Sequence, residues 1–418
     1  MTTAHLPSAF LWGAATAGHQ NDGGDTMSDT TFLENVEPTV FREAAGVGCG
    51  TWERWPEDLD LAAEMGFSAF RFSVEWARVE PERGVIDRSA LDRYDAMVDR
   101  CLALGMSPVV TFSHFTAPHW FACRGGWPHA DAPADFAAFC EVVMDRIGDR
   151  VAMAVTLNEP NLPRILEAVL PAQAWGGIAA TLDAADRAAG VERYRAGNVV
   201  RREELDLVEA GFERAHIAAR DAIRARRPEL PVGMSLAVMD EVALPGGEAR
   251  REAIIDVRYA RWYRLVEGDD FLGVQNYERA QYGPEGVVVP EGGETNEMGS
   301  PVEPESLAGA VRMCHAATSL PILVSEHGLA TADDDQRARF IPAALEGLDK
   351  AMADGVPVLG YLHWTFLDNF EWIAGYSAHF GLVEVDRETL ERRPKPSSRV
   401  YAAEIRARRG APAEQPVR

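Results

Sequence analysis

Residues 151–160 of this 418-residue chain are VAMAVTLNEP, an apolar run that ends in an amide and a carboxylate. The segment Met153–Glu159 has the length and the branched apolar composition of a buried β-strand. Asn158 and Glu159 lie at its carboxyl end. Because burying a charge is costly without a partner or a function, Glu159 is the first candidate for chemistry.

Seven more apolar runs of this kind occur along the chain, and helical periodicity fills the segments between them. The eight predicted strands are Phe10–Thr16, Ala69–Trp76, Ser107–His114, Met153–Glu159, Pro231–Met239, Phe271–Tyr277, Pro321–Glu326 and Leu359–Thr365. Eight strand–helix units in about 400 residues predict an α/β fold, a single (β/α)₈ TIM barrel. A doubly wound open sheet is the alternative, but no GxGxxG motif opens any helix.

Helix signals support this order. Ser89 is a predicted N-cap of a helix that stops at Gly105, and Glu203–Arg227 is a long helix before Pro228. We predict one catalytic barrel over residues 1–409 and a flexible tail over residues 410–418. The stretch Gly283–Ser306, rich in Gly, Pro and Glu, predicts a long loop at the C-terminal face of the barrel, where barrels bind ligands.

Composition limits the possible partners. With 41 Lys plus Arg against 65 Asp plus Glu, the formal charge is −24, which disfavours nucleic acid and anionic membrane surfaces. The five cysteines are widely spread and include no CxxC pair, so they predict reduced thiols and no metal site. The N-terminus has no basic segment of a signal peptide, and no run of 18 apolar residues occurs. We therefore expect a cytoplasmic protein, of undetermined oligomeric state.

Polar or aromatic residues stand at the ends of six predicted strands, and these ends meet at one face of a barrel. They are Arg71, Glu75, Trp76, His114, Asn158, Glu159, Gln275, Asn276, Tyr277, Glu326, His327, His363 and Trp364. Two of them, Glu159 and Glu326, are carboxylates on apolar strands. Two carboxylates that face each other across a barrel suit glycoside hydrolysis, with one as general acid and the other as nucleophile or base.

Other residue types fit a carbohydrate ligand. Tryptophans that could stack on sugar rings are Trp12, Trp76, Trp120, Trp127, Trp364 and Trp372, although Trp120 and Trp127 suit plain packing as well. Side chains that could bind sugar hydroxyls are Gln20, His114, Asn158 and Glu371.

Several motifs in a fixed order carry a resemblance. They are FLWGAATAGHQ (Phe10–Gln20), RFSVEWARVEP (Arg71–Pro81), TFSHFTAPHW (Thr111–Trp120), TLNEP (Thr156–Pro160), SEHG (Ser325–Gly328) and GYLHWTFLDNFEW (Gly360–Trp372). Over nearly its whole length the chain resembles glycoside hydrolase family 1, the β-glucosidase family of retaining barrel enzymes. The resemblance implies no metal and no organic cofactor.

By this resemblance, Glu159 is the general acid/base and Glu326 is the nucleophile. The sugar-binding residues it implies are Gln20, His114, Asn158, Tyr277, Trp364, Glu371 and Trp372. Supporting roles fall to Arg71 beside the nucleophile, to Gln275 and to Phe380. A structural cation inside the barrel is the alternative for Arg71.

The resemblance implies a retaining exo-β-glycosidase, a β-glucosidase before a galactosidase or fucosidase, acting on a small-molecule β-glycoside. In double displacement the two carboxyl groups lie about 5–5.5 Å apart. The chain departs from the family pattern at His327, Gln275, Asp22, His379 and Ser300, which we expect around the pocket or its mouth. A transglycosidase, a tailoring enzyme for glycosylated small molecules and a sugar-binding protein with attenuated turnover are the alternatives.

Overall fold

The computed structural model describes residues 4–410. Its centre is a closed barrel of eight strands, in which every strand is parallel to its two neighbours. The strands are β1 Leu11–Ala15, β2 Ala69–Ser73, β3 Ser107–Ser113, β4 Met153–Asn158, β5 Val232–Ala237, β6 Phe271–Asn276, β7 Ile322–His327 and β8 Val358–Trp364. The predicted (β/α)₈ barrel is confirmed.

Long helices surround the barrel: Thr51–Glu64, Arg88–Ala103, Ala132–Ile147, Leu205–Arg226, Ser306–Thr318, Asp334–Ala353 and Pro396–Gly410. Further helices lie in the loops: Gly18–Asn21, Asp29–Glu34, Trp76–Val79, His119–Cys123, Leu162–Val169, Ala172–Ala189, Glu248–Ile255 and Arg261–Leu265. Two small sheets, Asp240–Ala243 with Arg279–Tyr282 and Val287–Val288, and Val383–Val385 with Arg392–Pro394, lie outside the barrel.

Some predicted boundaries were wrong. The carboxylate of Asp87, not Ser89, caps the helix Arg88–Ala103, because it accepts hydrogen bonds from the backbone N–H groups of Ser89 and Ala90. The second strand ends at Ser73, and Trp76 begins a short helix. In the predicted tail, Gly410 is the last helical residue, and residues 411–418 lie outside the described residues.

The core has two layers, which follow from the alternation of side chains along each strand. On β7, Ile322 and Val324 pack outward against the surrounding helices, whereas Leu323 faces the barrel interior. The interior layer ends at Trp364 and Phe380 near the carboxyl ends of the strands. No helix within residues 4–410 combines the length and apolar character that crossing a bilayer requires.

One buried carboxylate ties the loops above the barrel together. Asp29, in the loop after β1, accepts hydrogen bonds from the backbone N–H groups of Thr30 at 2.7 Å, Ala117 at 3.0 Å and Gly197 at 2.8 Å. Ala117 follows β3 and Gly197 follows β4, so this side chain joins three loops of the face that carries the polar strand ends.

We expect Asp29→Ala to lower the free energy of unfolding by about 3 kcal/mol, because it leaves buried N–H groups without an acceptor. The urea midpoint of unfolding measures the effect. The control is Asp221→Ala, which removes a carboxylate with a 67% exposed side chain and should change stability by no more than about 0.5 kcal/mol. Equal losses in the two variants would contradict the role of Asp29.

Candidate active site

A cavity of about 300 Å³ opens at the carboxyl ends of the barrel strands. Predicted site residues that line it are His114, Glu159, Gln275, Tyr277, Glu326, Trp364, Glu371, Trp372 and Phe380. A larger depression of about 740 Å³ surrounds the amino ends of the strands, near Leu11, Ser107 and Pro231, but none of the predicted site residues lines it. Since barrel enzymes carry their chemistry at the carboxyl ends, the smaller cavity is the candidate active site.

Glu326 is held from two sides. The guanidinium of Arg71 donates to its Oε1 at 2.6 Å, and the phenol of Tyr277 donates to its Oε2 at 2.7 Å. Burial raises the pKa of Glu326, while the charge of Arg71 and the hydrogen bonds from Tyr277 and Arg71 oppose that rise. The carboxylate form is therefore stabilised by donors that are already in place.

An irregularity in the pairing of β7 with β6 directs the side chain of Glu326 into the barrel. In the ladder between β7 and β6, Val324 pairs with Val274 and Glu326 pairs with Gln275, so β7 contains one extra residue, as in a β-bulge. With strict alternation, Glu326 would share the outward face of Val324. The bulge places Glu326 on the cavity wall and turns His327 outward.

Strand β4 carries a second irregularity. Against β5, Val155 pairs with Gly233 but Asn158 pairs with Ser235, which again leaves one extra residue on the strand. Glu159 then adopts a left-handed φ of 46°, and its backbone N–H donates to the carbonyl of Ser235 at 2.8 Å. A left-handed glutamate costs roughly 1–2 kcal/mol, and such strain is concentrated at functional sites.

The carboxyl group of Glu159 has fewer stabilising partners than that of Glu326. In the described part of the chain, no ion pair or hydrogen bond engages its carboxyl group. Burial and the neighbouring charge of Glu326 raise the pKa of Glu159 well above its ordinary range. Of the two carboxyl groups, Glu326 is therefore the first to ionise, and Glu159 keeps its proton.

The orientation of Asn158 follows from its neighbours. Its Oδ1 accepts from Arg71 at 2.6 Å and from Gln275 at 2.8 Å, so its Nδ2 faces Nε2 of His114 at 3.4 Å. Burial and the charge of Arg71 lower the pKa of His114 well below its ordinary value, so the ring is neutral. Nε2 is then the acceptor, and the buried Nδ1, which has no partner among the described residues, carries the proton.

Unused hydrogen-bonding capacity surrounds the cavity. Gln20 donates to the carbonyl of Phe370 at 2.7 Å and to Glu371 at 3.4 Å, which leaves its Oε1 without a partner in the described structure. Gln275 likewise keeps an unpartnered Oε1. Burial and the charge of Glu326 raise the pKa of Glu371 to about 8, against the hydrogen bond from Gln20. Such a set of donors and acceptors suits a ligand with many hydroxyl groups.

Flat rings form one wall. His114 lies nearly parallel to Trp364, with centroids 5.5 Å apart, and to Trp372 at 6.2 Å. Trp372 also stacks on His19, with centroids 5.6 Å apart. Phe380 contacts the ring of Tyr277 edge to face at 5.7 Å.

Several predicted residues lie elsewhere. Gln20, Asn158 and Arg71 are buried one layer behind the cavity wall, bonded to residues that line it. Four tryptophans proposed for sugar stacking pack into the core between barrel and helices: Trp12, Trp76, Trp120 and Trp127. Aromatic side chains favour both environments, and only their position in the fold separates the two.

The prediction that His327 lies around the pocket was wrong. Its ring stacks on Phe340 at 5.0 Å and its Nδ1 is hydrogen-bonded to the phenol of Tyr361 at 2.9 Å, behind the barrel wall. Burial lowers the pKa of His327 to about 3, so the ring is neutral. The residue that follows Glu326 therefore does not line the cavity.

Sequence reasoning missed other lining residues. Phe115 lines the cavity with a φ of 70° and lies edge-on to Trp372 at 5.2 Å. Four aliphatic residues of the helix after Glu159 also line the cavity and were not predicted: Leu162, Ile165, Leu166 and Val169. Their helical spacing is visible in the sequence. Within residues 4–410, no three His, Cys, Asp or Glu side chains are grouped so as to hold a metal ion.

The fold and the paired carboxylates define the class of a barrel glycosidase, and comparisons with known proteins agree. The sequence model of the family Glycosyl hydrolase family 1 matches residues 2–181 and 274–410 of this chain. The chain belongs to glycosyl hydrolase family 1 and is a glycoside hydrolase.

Its relatives cover nearly the whole chain. Beta-glucosidase A of Thermotoga maritima is 28% identical over 96% of this chain and 98% of its own length. The bifunctional beta-D-glucosidase/beta-D-fucosidase of Bifidobacterium breve is 29% identical over 94% of this chain and 97% of its own length. Among solved structures, beta-glycosidase BGL167 is 41% identical, with a TM-score of 0.91 over 99% of this chain and 100% of that one.

We expect Tyr277→Phe to move the acidic limb of the kcat/KM profile to higher pH by about one unit. Loss of a hydrogen bond to a carboxylate destabilises its ionised form, and one pKa unit corresponds to about 1.4 kcal/mol. Activity that needs ionised Glu326 is lost as pH falls through the pKa of Glu326. A higher pKa of this group therefore moves the loss of activity to higher pH. The profile is measured with an aryl β-glucoside.

Tyr282→Phe is the matched control, because Tyr282 also donates to a buried glutamate, Glu241 at 2.5 Å, outside the cavity. Its acidic limb should coincide with that of the wild type. Coincident limbs for both variants would show that Tyr277 does not act on Glu326.

Proposed function

We propose that this protein is a retaining exo-β-glycosidase that removes the terminal β-D-glucosyl residue from a small-molecule β-glucoside, working as one catalytic barrel. The observation that carries the proposal is the unequal environment of the two cavity carboxyl groups. Glu326 has a cation and a phenol as donors, whereas Glu159 has neither and keeps its proton. Two carboxyl groups with pKa values driven apart suit a nucleophile and a general acid.

In the proposed mechanism, Glu326 attacks the anomeric carbon while Glu159 protonates the leaving oxygen. A glycosyl-enzyme forms, and the alcohol departs. Glu159, now ionised, takes a proton from water, which attacks the same carbon and releases Glu326. Two inversions retain the β configuration, and the carboxyl groups of a bound complex should lie about 5–5.5 Å apart.

The sugar would lie against Trp364 with its hydroxyl groups toward the unpartnered polar atoms. On the cavity wall, the proton on Nδ1 of His114 and the Oε1 of Gln275 supply a donor and an acceptor. The beta-glucosidase relatives favour glucose as the sugar, and the bifunctional relative makes the fucoside a necessary member of any substrate panel.

We propose a cytoplasmic location on separate grounds. All five cysteines are free thiols in the structure, as expected for a reducing compartment. Fractionation of the source cells tests this location.

Glu326→Ala should abolish release of 4-nitrophenol from its β-glucoside, with a loss of at least about 10⁴-fold, since no glycosyl-enzyme can form. Added azide should restore turnover by direct attack at the anomeric carbon and yield the α-glucosyl azide, identified by NMR. Wild type with azide, assayed in parallel, is the control. A β-azide from Glu326→Ala, or no rescue in a folded variant, would contradict the assignment.

Glu159→Gln should remove the basic limb of the kcat/KM profile. The raised pKa of Glu159 means that the required proton is present at low pH and is lost as pH rises through that value. We expect kcat/KM to fall by about 10²–10⁴-fold for a substrate with a poor leaving group. For the 2,4-dinitrophenyl glucoside the loss should be small, because 2,4-dinitrophenol departs without protonation.

Glu303→Gln serves as the comparison, because Glu303 is a half-buried glutamate that does not line the cavity. Its basic limb should match that of the wild type. A basic limb that survives in Glu159→Gln would assign the acid to another residue.

A further inference from the structure

The part of the cavity next to Glu159 is aliphatic. The helix Leu162–Val169 begins three residues after this glutamate, and four of its side chains line the cavity: Leu162, Ile165, Leu166 and Val169. Their spacing of three, one and three residues places them on one face of the helix. The face is graded from Ile165, which is buried, to Val169, which is 56% exposed. It spans about 10 Å along the helix.

The position of this face is fixed relative to the barrel. The amide of Asn161 donates to the carbonyl of Ala237 at 2.8 Å and accepts from the N–H of the same residue at 3.0 Å. This reciprocal pair joins the start of the helix to the end of β5. The residues that follow β5, Val238 and Met239, continue the aliphatic wall.

Two polar side chains, Asn296 and Glu278, border this part, and one oxygen of each already accepts hydrogen bonds. Oδ1 of Asn296 accepts from the N–H groups of Met298 and Ser300, both at 2.9 Å. Oε1 of Glu278 accepts from the hydroxyl of Ser300 at 2.5 Å. Within the described residues, the loops after β4 and β5 place no aromatic ring on the cavity wall. A second sugar would therefore lose hydration there and gain few hydrogen bonds.

From this arrangement we infer that the leaving group is an apolar alcohol or phenol rather than a second sugar, and that the helix face Leu162–Val169 selects it. The inference rests on the proposed function, because it takes Glu159 as the acid that protonates the leaving oxygen. Whatever is attached to that oxygen lies beside Glu159 and therefore against the aliphatic face. Burial of an apolar group there lowers the free energy of the transition state for its departure.

A homologous series of alkyl β-glucosides tests the inference. Methyl, butyl, hexyl and octyl β-glucosides release alkanols of similar acidity, so chain length varies while the chemistry stays nearly constant. We expect kcat/KM to rise roughly twofold to fourfold per methylene until the chain leaves the cavity. The hexyl glucoside should also exceed cellobiose.

Leu166→Asn and Val169→Asn test the surface itself. Each should reduce the hexyl-to-methyl ratio of kcat/KM, by about tenfold for Leu166→Asn and less for the more exposed Val169. The matched control is Leu207→Asn, which changes a 47% exposed leucine that does not line the cavity and should preserve the ratio. The exposed position of Val169 keeps the test valid if Leu166→Asn fails to fold.

Each failure has its own signature. Equal kcat/KM across the alkyl series, a preference for cellobiose over hexyl glucoside, or an unchanged ratio in both cavity variants would overturn the apolar leaving-group site while β-glucosidase activity stands. No hydrolysis of any β-glucoside, including the 4-nitrophenyl compound, by folded wild type would overturn the proposed function instead.

Discussion

The guanidinium of Arg71 is the interaction on which the rest of the site depends. Its residue is fully buried in the middle of β2, and it donates to Thr111 at 2.9 Å, to the carbonyl of Ser325 at 3.1 Å, to Glu326 at 2.6 Å and to Asn158 at 2.6 Å. One planar cation thereby joins β2 to β3, β4 and β7. Its rigid fork of donors is suited to holding several acceptors at once.

Burying such a charge is tolerable only when its partners are complete. Glu326 neutralises Arg71, and oxygens of Thr111, Ser325 and Asn158 accept three further hydrogen bonds from it. The same contacts make the two carboxyl groups unequal, because Arg71 donates a hydrogen bond to Glu326 but acts on Glu159 only through its charge, while burial and the charge of Glu326 raise the pKa of Glu159. The proposed roles of the two glutamates follow from this difference, because Arg71 is hydrogen-bonded to Glu326 and not to Glu159.

The two cavity glutamates and the barrel fold could be predicted from the sequence. Glu159 and Glu326 stand out because carboxylates on apolar strands are rare without a function, and the (β/α)₈ order follows from hydrophobic periodicity. Roles for aromatic residues were less accessible: Trp364 lines the cavity while Trp76 packs against the helices. Composition alone does not distinguish them, since a tryptophan stabilises a core and a sugar site by the same burial of apolar area.

By itself, the sequence determined the strand order, the location of the polar strand ends at one face and the two glutamates that carry the proposed chemistry. Only the tertiary structure decided which way those side chains point. The extra residues in β4 and β7 shift the alternation by one position, so that Glu326 enters the cavity and His327 packs against Phe340. Bulges depend on the register between neighbouring strands, a long-range property that no local pattern of residues specifies.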